Sequence, residues 1–137
     1  MRRLITFTTR EREALYDITP AVKAALAETA MSDGLCSLYV RGATAAIMIQ
    51  ENWDDSVPRD VVKMMASIAP RGVWEHDAQD GNGDSHLKAG LVGPSETVPV
   101  IDGRLGLSTW QSIFLCEFDG PRDRREIVLS FVPDPNP

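Results

Sequence analysis

The sequence has 137 residues, of which 43% are hydrophobic and 25% charged, a composition typical of globular proteins and not of disordered or fibrous chains. A chain of this length predicts a single domain over residues 1–137 with one hydrophobic core. The formal net charge of −6 repels phosphate backbones and anionic lipid headgroups, so neither nucleic acid nor a membrane surface is an expected partner.

The first thirty residues predict a β-hairpin followed by a helix. Residues 3–9 are rich in threonine, and a second extended run at 14–18 follows a charged turn. Thr19 can then cap a helix, Pro20 suits its first turn, and apolar residues recur at helical spacing. We therefore expect a helix from about Pro20 to Met31.

Two short strands and a second helix are expected next. The runs 35–41 and 45–50 are β-prone, and the small residues between them predict that they form an antiparallel pair. Asp55 or Ser56 can cap a helix whose apolar positions continue until shortly before Pro70.

The remainder of the chain predicts a polar loop, a short helix and mostly antiparallel sheet. The loop covers residues 71–85, a length that usually carries function or mobility, and the helix follows over 85–91. Asp-Gly and Asp-Gly-Pro turns separate three extended runs at 96–101, 109–117 and 125–132. The proline-rich tail 133–137 is expected to fray.

The apolar segments of the sequence bear on the state of the two cysteines and on the cellular location of the protein. Cys36 and Cys116 lie in strand-like apolar runs without CxxC spacing, which indicates buried thiols and not metal ligands. The longest strongly apolar stretch, 43–49, is far shorter than the roughly 18 residues that a membrane-spanning helix needs. The N-terminus lacks the features of a secretory signal, so a cytoplasmic location is expected.

The sequence contains two histidines, and both flank the polar loop. His76 and His86 could ligate zinc together, but zinc takes three or four ligands, so a carboxylate or another subunit would have to complete the site. The alternative is a pair of loop histidines that hydrogen-bond to Asp77 or Asp84 without any further function.

A second polar group lies between the predicted strand at 45–50 and the second predicted helix. Glu51, Asn52 and Asp54 occupy this junction, where the N-terminus of a helix attracts anions. Capping by Asp54 or Asp55 is the alternative, and it leaves Glu51 and Asn52 unassigned. Gln111 adds an amide at the start of a later strand.

The short basic group Arg122, Arg124 and Arg125 stands among acidic residues. Binding tails need five or six like charges in a block, so this group is interpreted as a solvated strand end.

Short motifs that occur in order along nearly the whole chain make a further comparison possible. They are Ala43-Thr44-Ala45-Ala46, Glu51-Asn52-x-Asp54, Glu75-His76-Asp77, Asn82-x-Asp84-Ser85-His86-Leu87-Lys88-Ala89, Gly93-Pro94-Ser95, Gly103-Arg104-Leu105, Thr109-Trp110-Gln111 and Gly120-Pro121-Arg122. With these motifs the chain resembles the YjbQ family, also called secondary thiamine-phosphate synthase.

The resemblance implies an α+β fold with mostly antiparallel sheet layers and two to three helices. It also implies a homotrimer in which the polar motifs gather in a pocket near the subunit contacts. The associated activity is weak formation of thiamine phosphate, in which a pyrimidine diphosphate is joined to a thiazole phosphate with loss of pyrophosphate.

The resemblance also assigns residues to roles. Catalysis would involve Glu51, Asn52, Asp54 and Gln111, and the phosphates of a small ligand would contact Lys88, Arg104 and Arg122. His76 and His86 would hold Zn²⁺ or another divalent ion.

Two positions depart from the family pattern, and the milder is Asp55, which stands where the family usually has proline after its Glu-Asn-x-Asp motif. Gly42 stands where the family segment of the His-Thr-Thr-Ala type begins with histidine, and glycine offers no side-chain ligand. Loss of one ligand in three weakens metal affinity unless Glu51, Asp54 or water replaces it. The alternative function is therefore a non-catalytic homotrimer that binds a small ligand and has lost the metal.

Overall fold

The computed structural model describes residues 1–136, which form eight strands, three α-helices and one 3-10 turn. In chain order the elements are β1 (Arg2–Thr9), β2 (Ala14–Asp17), α1 (Thr19–Thr29), β3 (Gly34–Val40), β4 (Ala45–Glu51), α2 (Ser56–Ile68), a 3-10 turn (Glu75–Ala78), α3 (Gly83–Val92), β5 (Ser95–Ile101), β6 (Arg104–Leu105), β7 (Gln111–Glu117) and β8 (Arg122–Pro133). Each strand pairs antiparallel with its neighbours, so the predicted α+β fold with antiparallel sheets is confirmed.

The strands form two sheets. The larger sheet has the order β1-β8-β3-β5-β6, and the smaller has the order β2-β7-β4. The long strand β8 is central to the larger sheet because it pairs with β1 on one side and with β3 on the other. Its alternating residues Arg125, Ile127, Leu129 and Phe131 are buried, which gives the sheet one inward face.

The core is built in layers, as two-sheet folds require. Residues of the two facing sheets and of α1, among them Leu38, Ile47 and Val22, form the main apolar cluster. The opposite face of the smaller sheet packs against α2 and α3 in a second cluster that includes Met65 and Phe118. The outer face of the larger sheet has no covering layer among the described residues, and Leu35 and Val132 there are about half exposed.

Two predicted strand pairings are wrong. β1 does not form a hairpin with β2, because β1 pairs with β8 and β2 pairs with β7. Likewise β3 pairs with β5 and β8, whereas β4 pairs with β7. In both cases consecutive strands enter opposite layers, since strand propensity predicts extended backbone but does not select the partner strand.

The predicted helices are confirmed with shifted ends. α1 begins at Thr19, and the predicted cap is wrong, because Ile18 occupies the N-cap and the hydroxyl of Thr19 accepts a 2.8 Å hydrogen bond from the Ile113 amide. α2 ends before Pro70 as expected, while α3 begins at Gly83, two residues early.

The C-terminal tail is ordered further than the prediction of fraying from residue 133 allows. Pro133 lies opposite Gly34 in the sheet, and the Asp134 amide donates to the Asp33 carbonyl at 2.9 Å. Pro137 lies outside the described residues.

Both cysteines are free and buried, as the apolar runs predict. Burial raises the pKa of the Cys36 thiol to about 11 and that of Cys116 to about 12. Among residues 1–136, no helix is both long and apolar enough to cross a bilayer.

Candidate functional site

The two histidines meet at the start of α3. His76 lies on the 3-10 turn and His86 on the first turn of α3, and their rings stand edge to face with centroids 4.8 Å apart. Asp77 holds this arrangement, because its carboxylate accepts from the Trp74 amide at 3.0 Å and from the Gly83 amide at 2.8 Å. The loop histidines are therefore brought together by the backbone that Asp77 fixes.

Gly83 is required by this close approach. A Cβ at position 83 would lie 2.7 Å from the Cβ of Trp74 and 2.9 Å from the carboxylate of Asp77, closer than real side chains pack. Only glycine allows the 3-10 turn to contact the start of α3 at this distance.

Two neighbouring hollows share His86, and together they are called the histidine cleft. The larger, of about 520 Å³, is lined by Trp74, Glu75, His76, Gly83, His86 and Leu87. The smaller, of about 230 Å³, is lined by Tyr39, Gly42, Ala43, Ala45, His86, Ala89, Gly90 and Pro94. Gly42 and His86 therefore line the same hollow.

The metal-binding capacity of one chain is incomplete. No group of three histidine, cysteine, aspartate or glutamate side chains in residues 1–136 is arranged to hold a metal ion. The carboxylate of Asp80 lies 3.6 Å from Nε2 of His76, which is an ion-pair distance and not a shared metal site. The side chains present therefore do not fit a zinc ion without a ligand from elsewhere.

The predicted catalytic residues lie at the far end of β4. Asn52 donates to the carboxylate of Asp17 at 2.7 Å, and Asp54 accepts from the Ser56 amide at 2.7 Å. Hydrogen bonds from the hydroxyl and the amide of Ser56 lower the pKa of the exposed Asp54 carboxyl. Asp54 thus fixes the turn that leads into α2, while Asp55 occupies the N-cap without a side-chain capping hydrogen bond.

Glu51 and Gln111 stand opposite each other at this end of β4 and β7. The side-chain oxygen of Gln111 accepts from the Ser108 amide at 3.0 Å, so it holds the turn before β7. Beside them the exposed rings of Trp53 and Trp110 meet edge to face, with centroids 4.6 Å apart.

One chain does not bring the predicted site residues into a single pocket. Ala45 at the start of β4 lines the histidine cleft, whereas Glu51 ends the same strand, and seven extended residues span about 20 Å. The histidines and the group around Glu51 are thus two separate regions of one chain.

The three predicted phosphate ligands also lie apart. Lys88 is 1% exposed and its ammonium bonds to the carboxylates of Asp84, at 2.8 Å, and of Glu13. Arg122 pairs with Asp119 at 2.9 Å on the surface. Arg104 lies by α1, where it lines a hollow of about 440 Å³ with Lys23. The enclosed ammonium of Lys88 favours a structural role.

Two buried ionic clusters are absent from the sequence-based predictions. The first, called the Asp84 cluster, comprises Arg12, Glu13, Asp84, Ser85 and Lys88. Burial raises the pKa of the Asp84 carboxyl, but the hydrogen bonds and charges of Lys88 and Arg12 outweigh burial and lower it overall. Ser85 donates in turn to the Phe118 carbonyl at 2.6 Å, which ties α3 to the smaller sheet.

The second, called the Glu117 cluster, comprises Thr9, Thr44, Glu117 and Arg125. Arg125 is 6% exposed and Glu117 is fully buried, so the interpretation of Arg125 as part of a solvated strand end is wrong. The signal that could have found it is strand alternation, since Arg125 shares a face with Ile127 and Leu129.

Comparisons with known proteins agree with this fold. The model of the family described as UPF0047 protein YjbQ-like matches residues 3–134. A UPF0047 protein of Methanocaldococcus jannaschii is 43% identical over 126 residues, which cover 92% of this chain and 90% of that protein. The UPF0047 protein YugU of Bacillus subtilis is 40% identical over 127 residues, which cover 90% and 94%.

Solved structures show the same architecture. A YbjQ-like protein of unknown function from Sulfolobus solfataricus superposes with a TM-score of 0.94 at 31% identity, over 98% of this chain and 97% of that one. A hypothetical protein from Aeropyrum pernix gives a TM-score of 0.92 at 32% identity, over 98% and 99%. The chain belongs to the YjbQ/UPF0047 family.

Proposed function

We propose that this protein binds a small, partly apolar ligand in the histidine cleft, without the complete metal site that the family resemblance implies. The observation that carries the proposal is the pairing of His76 and His86 over a hollow of about 520 Å³ whose walls include Trp74 and Leu87. Apolar walls with a few fixed polar groups are typical of small-molecule sites. Gly42, across the smaller hollow, supplies no third ligand side chain.

The homotrimer is part of the proposal. An uncovered sheet face with the half-exposed apolar residues Leu35, Tyr39 and Val132 supports it, because soluble monomers rarely expose large apolar patches. Tyr39 also lines the smaller hollow, so contact between subunits on this face would border the histidine cleft. A second copy would supply the proximity between the two polar regions that one chain lacks.

The test of ligand binding uses nuclear magnetic resonance of the full chain. Thiazole phosphate and the pyrimidine diphosphate are titrated separately, and the ring signals of His76 and His86 are followed. We expect saturable shifts at both rings, and loss of binding in His86→Ala. Gln79→Ala is the matched control, since Gln79 is exposed on the same turn but does not line the cleft.

Two outcomes would overturn the binding proposal. One is the absence of any saturable shift at either histidine with both ligands. The other is equal weakening in His86→Ala and Gln79→Ala, which would indicate a structural role for the ring.

Weak thiamine-phosphate synthase-type transfer is the second candidate, and the group at the end of β4 favours it. In this reaction the bond from the pyrimidine methylene carbon to the diphosphate oxygen breaks, the thiazole nitrogen bonds to that carbon, and pyrophosphate leaves. Glu51 and Gln111 face each other beside exposed Trp53 and Trp110, where a planar ring could stack. The side-chain amide of Asn52 is oriented by its hydrogen bond to the carboxylate of Asp17.

Turnover is tested at high protein concentration with both substrates, by chromatography of thiamine phosphate. We expect slow product formation that falls in Glu51→Gln and is unchanged in Gln79→Ala. Product formation that is absent from the unmodified protein, or that Glu51→Gln leaves unaffected, would eliminate the transferase and leave ligand binding as the function.

The oligomeric state is measured by light scattering. A mass of three chains is expected, and Leu35→Glu on the uncovered sheet face should lower it. A monomeric mass in the unmodified protein would overturn the trimer.

A further inference from the structure

A further hollow, of about 390 Å³, lies between the start of α2 and the smaller sheet. Its lining residues come from β2, from the junction after β4, from the first turn of α2 and from β7, and they are Ala14, Leu15, Asp17, Asn52, Asp55, Pro58, Arg59 and Phe114. None of them lines the histidine cleft. The hollow is therefore a separate cavity, and ligand binding in the histidine cleft does not use it.

Three of the lining side chains carry oxygen acceptors. The carboxylate of Asp17 is fixed in place, because one of its oxygens accepts from the Thr19 amide at 2.8 Å and the other from the side-chain amide of Asn52 at 2.7 Å. Each carboxylate oxygen can accept a further hydrogen bond. Asp55 occupies the N-cap of α2, yet its carboxylate makes no capping hydrogen bond. This part of the lining thus has acceptors to offer to a cationic group.

Arg59 is the cation among the lining residues. It lies one helical turn after Asp55, and its amide donates to the Asp55 carbonyl at 3.4 Å. Opposite charges at this spacing ordinarily pair on a helix. Here they do not, since within residues 1–136 no carboxylate lies at ion-pair distance from the guanidinium. Arg59 and Asp55 therefore line the same hollow as separate charges.

The rest of the lining is apolar. Phe114 lies opposite Asp17 in the pairing of β2 with β7, and it is 2% exposed. Leu15 and Pro58 are half-buried beside it in the same hollow. Apolar walls with a small number of placed polar groups are typical of small-molecule sites, and the volume lies in the range of such sites.

We propose that this hollow binds a small zwitterion, namely an amino acid with an apolar side chain. Its ammonium group would contact Asp17 and Asp55, its carboxylate would contact Arg59, and its side chain would pack on Leu15 and Phe114. Both polar contacts are charge-assisted, which makes them stronger than neutral hydrogen bonds. A simple anion is disfavoured by the two carboxylates and a simple cation by the guanidinium, whereas a zwitterion matches both signs of charge.

The experiment titrates the full chain with L-leucine and follows the side-chain amide of Asn52 and the backbone amides of Leu15 and Arg59 by nuclear magnetic resonance. We expect saturable shifts at these positions and no shift at the rings of His76 and His86. Two analogues test the charges of the ligand. L-leucinamide lacks the carboxylate and isocaproate lacks the amine, so each should bind at least about tenfold more weakly than L-leucine.

Two variants assign the charges to their partners. Arg59→Gln should raise the dissociation constant of L-leucine about tenfold or more and leave that of L-leucinamide unchanged. Asp55→Asn should weaken the binding of both, and it preserves the fold because asparagine is equally favourable at an N-cap. The matched controls are Lys63→Gln and Asp60→Asn, which make the same changes of charge at exposed positions of α2 outside the hollow. Both controls should bind L-leucine as the unmodified chain does.

Three results would overturn the zwitterion site. They are no saturable shift with L-leucine, equal affinity for L-leucine and its two analogues, or the same loss of affinity in Lys63→Gln as in Arg59→Gln. The result is independent of the histidine cleft. L-leucine that shifts Asn52 in a chain whose histidines respond to neither organic phosphate supports this site and rejects only the proposed function.

Discussion

The Asp84 cluster and the Glu117 cluster are both buried ionic groups. They differ in whether every charged nitrogen in the cluster has a hydrogen-bond acceptor. In the Asp84 cluster, the ammonium of Lys88 bonds to two carboxylates, and the carboxylate of Asp84 receives both Lys88 and Arg12. In the Glu117 cluster the carboxylate is saturated, but Nη1 of Arg125 donates to no described residue. A closed ionic cluster satisfies its charged groups within the fold, whereas the open one leaves one donor of Arg125 without a protein acceptor among the described residues.

The two clusters also join different parts of the fold. The Asp84 cluster ties α3 to the turn before β2, so it supports the wall that carries His86. The Glu117 cluster joins β7 and β8 to the loop between β3 and β4. The Asp84 cluster therefore supports the helix that carries His86, although none of its own residues lines the histidine cleft.

The largest effect is expected from truncation within the closed cluster. Asp84→Ala leaves Lys88 with Glu13 alone and should lower the free energy of unfolding by about 3–5 kcal/mol, the usual result of breaking a buried pair. The measurement is urea unfolding followed by circular dichroism. Asp80→Ala, an exposed carboxylate nearby, is the control and should change stability by no more than about 0.5 kcal/mol. A loss below about 1 kcal/mol in Asp84→Ala would show that the cluster is not closed.

A smaller loss is expected from the open cluster. Glu117→Ala also leaves a buried cation, but Arg125 can turn toward the solvent beside Gly42, so the loss should be near the lower end of the same range, about 3 kcal/mol. Glu126→Ala is the control, because its carboxylate makes only a long, 3.9 Å contact with Arg41 at the surface. If Glu117→Ala proves more destabilising than Asp84→Ala, the comparison is reversed.

Acid should affect the Asp84 cluster in a defined direction. Because the pKa of the Asp84 carboxyl is lower in the folded chain than its ordinary value, its contribution is fully present above the ordinary value and is lost as pH falls through the folded one. Urea midpoints should therefore decrease from about pH 5 toward pH 3, and the decrease should be shallower in Asp84→Asn. The dependence on pH that remains in Asp84→Asn includes the contribution of Asp54, whose pKa is also lowered in the folded chain. An unchanged slope would contradict the assignment.

The smallest expected effect concerns the reactivity of the two cysteine thiols. The raised pKa values of the buried Cys36 and Cys116 thiols leave almost no thiolate at pH 8, so both should resist thiol reagents in the folded chain and react after unfolding in urea. Cys116 packs in the cluster that includes Ala89 of α3. In Asp84→Ala it should become reactive before Cys36, as mass spectrometry would detect.

The sequence predicts extended and helical segments far better than it predicts their partners. Periodicity and proline positions locate α2 and β5 within a residue or two, because those signals are local. The pairing of β4 with β7 joins residues 60 to 72 positions apart, and nothing in the turn between β3 and β4 specifies it.

The same distinction applies to the site. His76 and His86 are ten residues apart in one polar segment, and the structure does bring their rings together. Glu51 lies at the end of β4 that is remote from the two histidines, and the sequence contains no signal for the distance between them. The interpretation of Arg125 as part of a solvated strand end is wrong because a local count of charges ignores which face of a strand a residue occupies.

The connection between β3 and β4 carries the chain from one sheet to the other, and Gly42 lies within it. Its flanks are anchored by backbone bonds, from the Arg41 amide to the Glu126 carbonyl at 2.9 Å and from the Phe118 amide to the Thr44 carbonyl at 3.1 Å. Residue 42 itself belongs to no ladder, so an exchange there alters no strand register. Descent with modification can therefore replace the chemistry at this one position while the architecture around it is inherited unchanged.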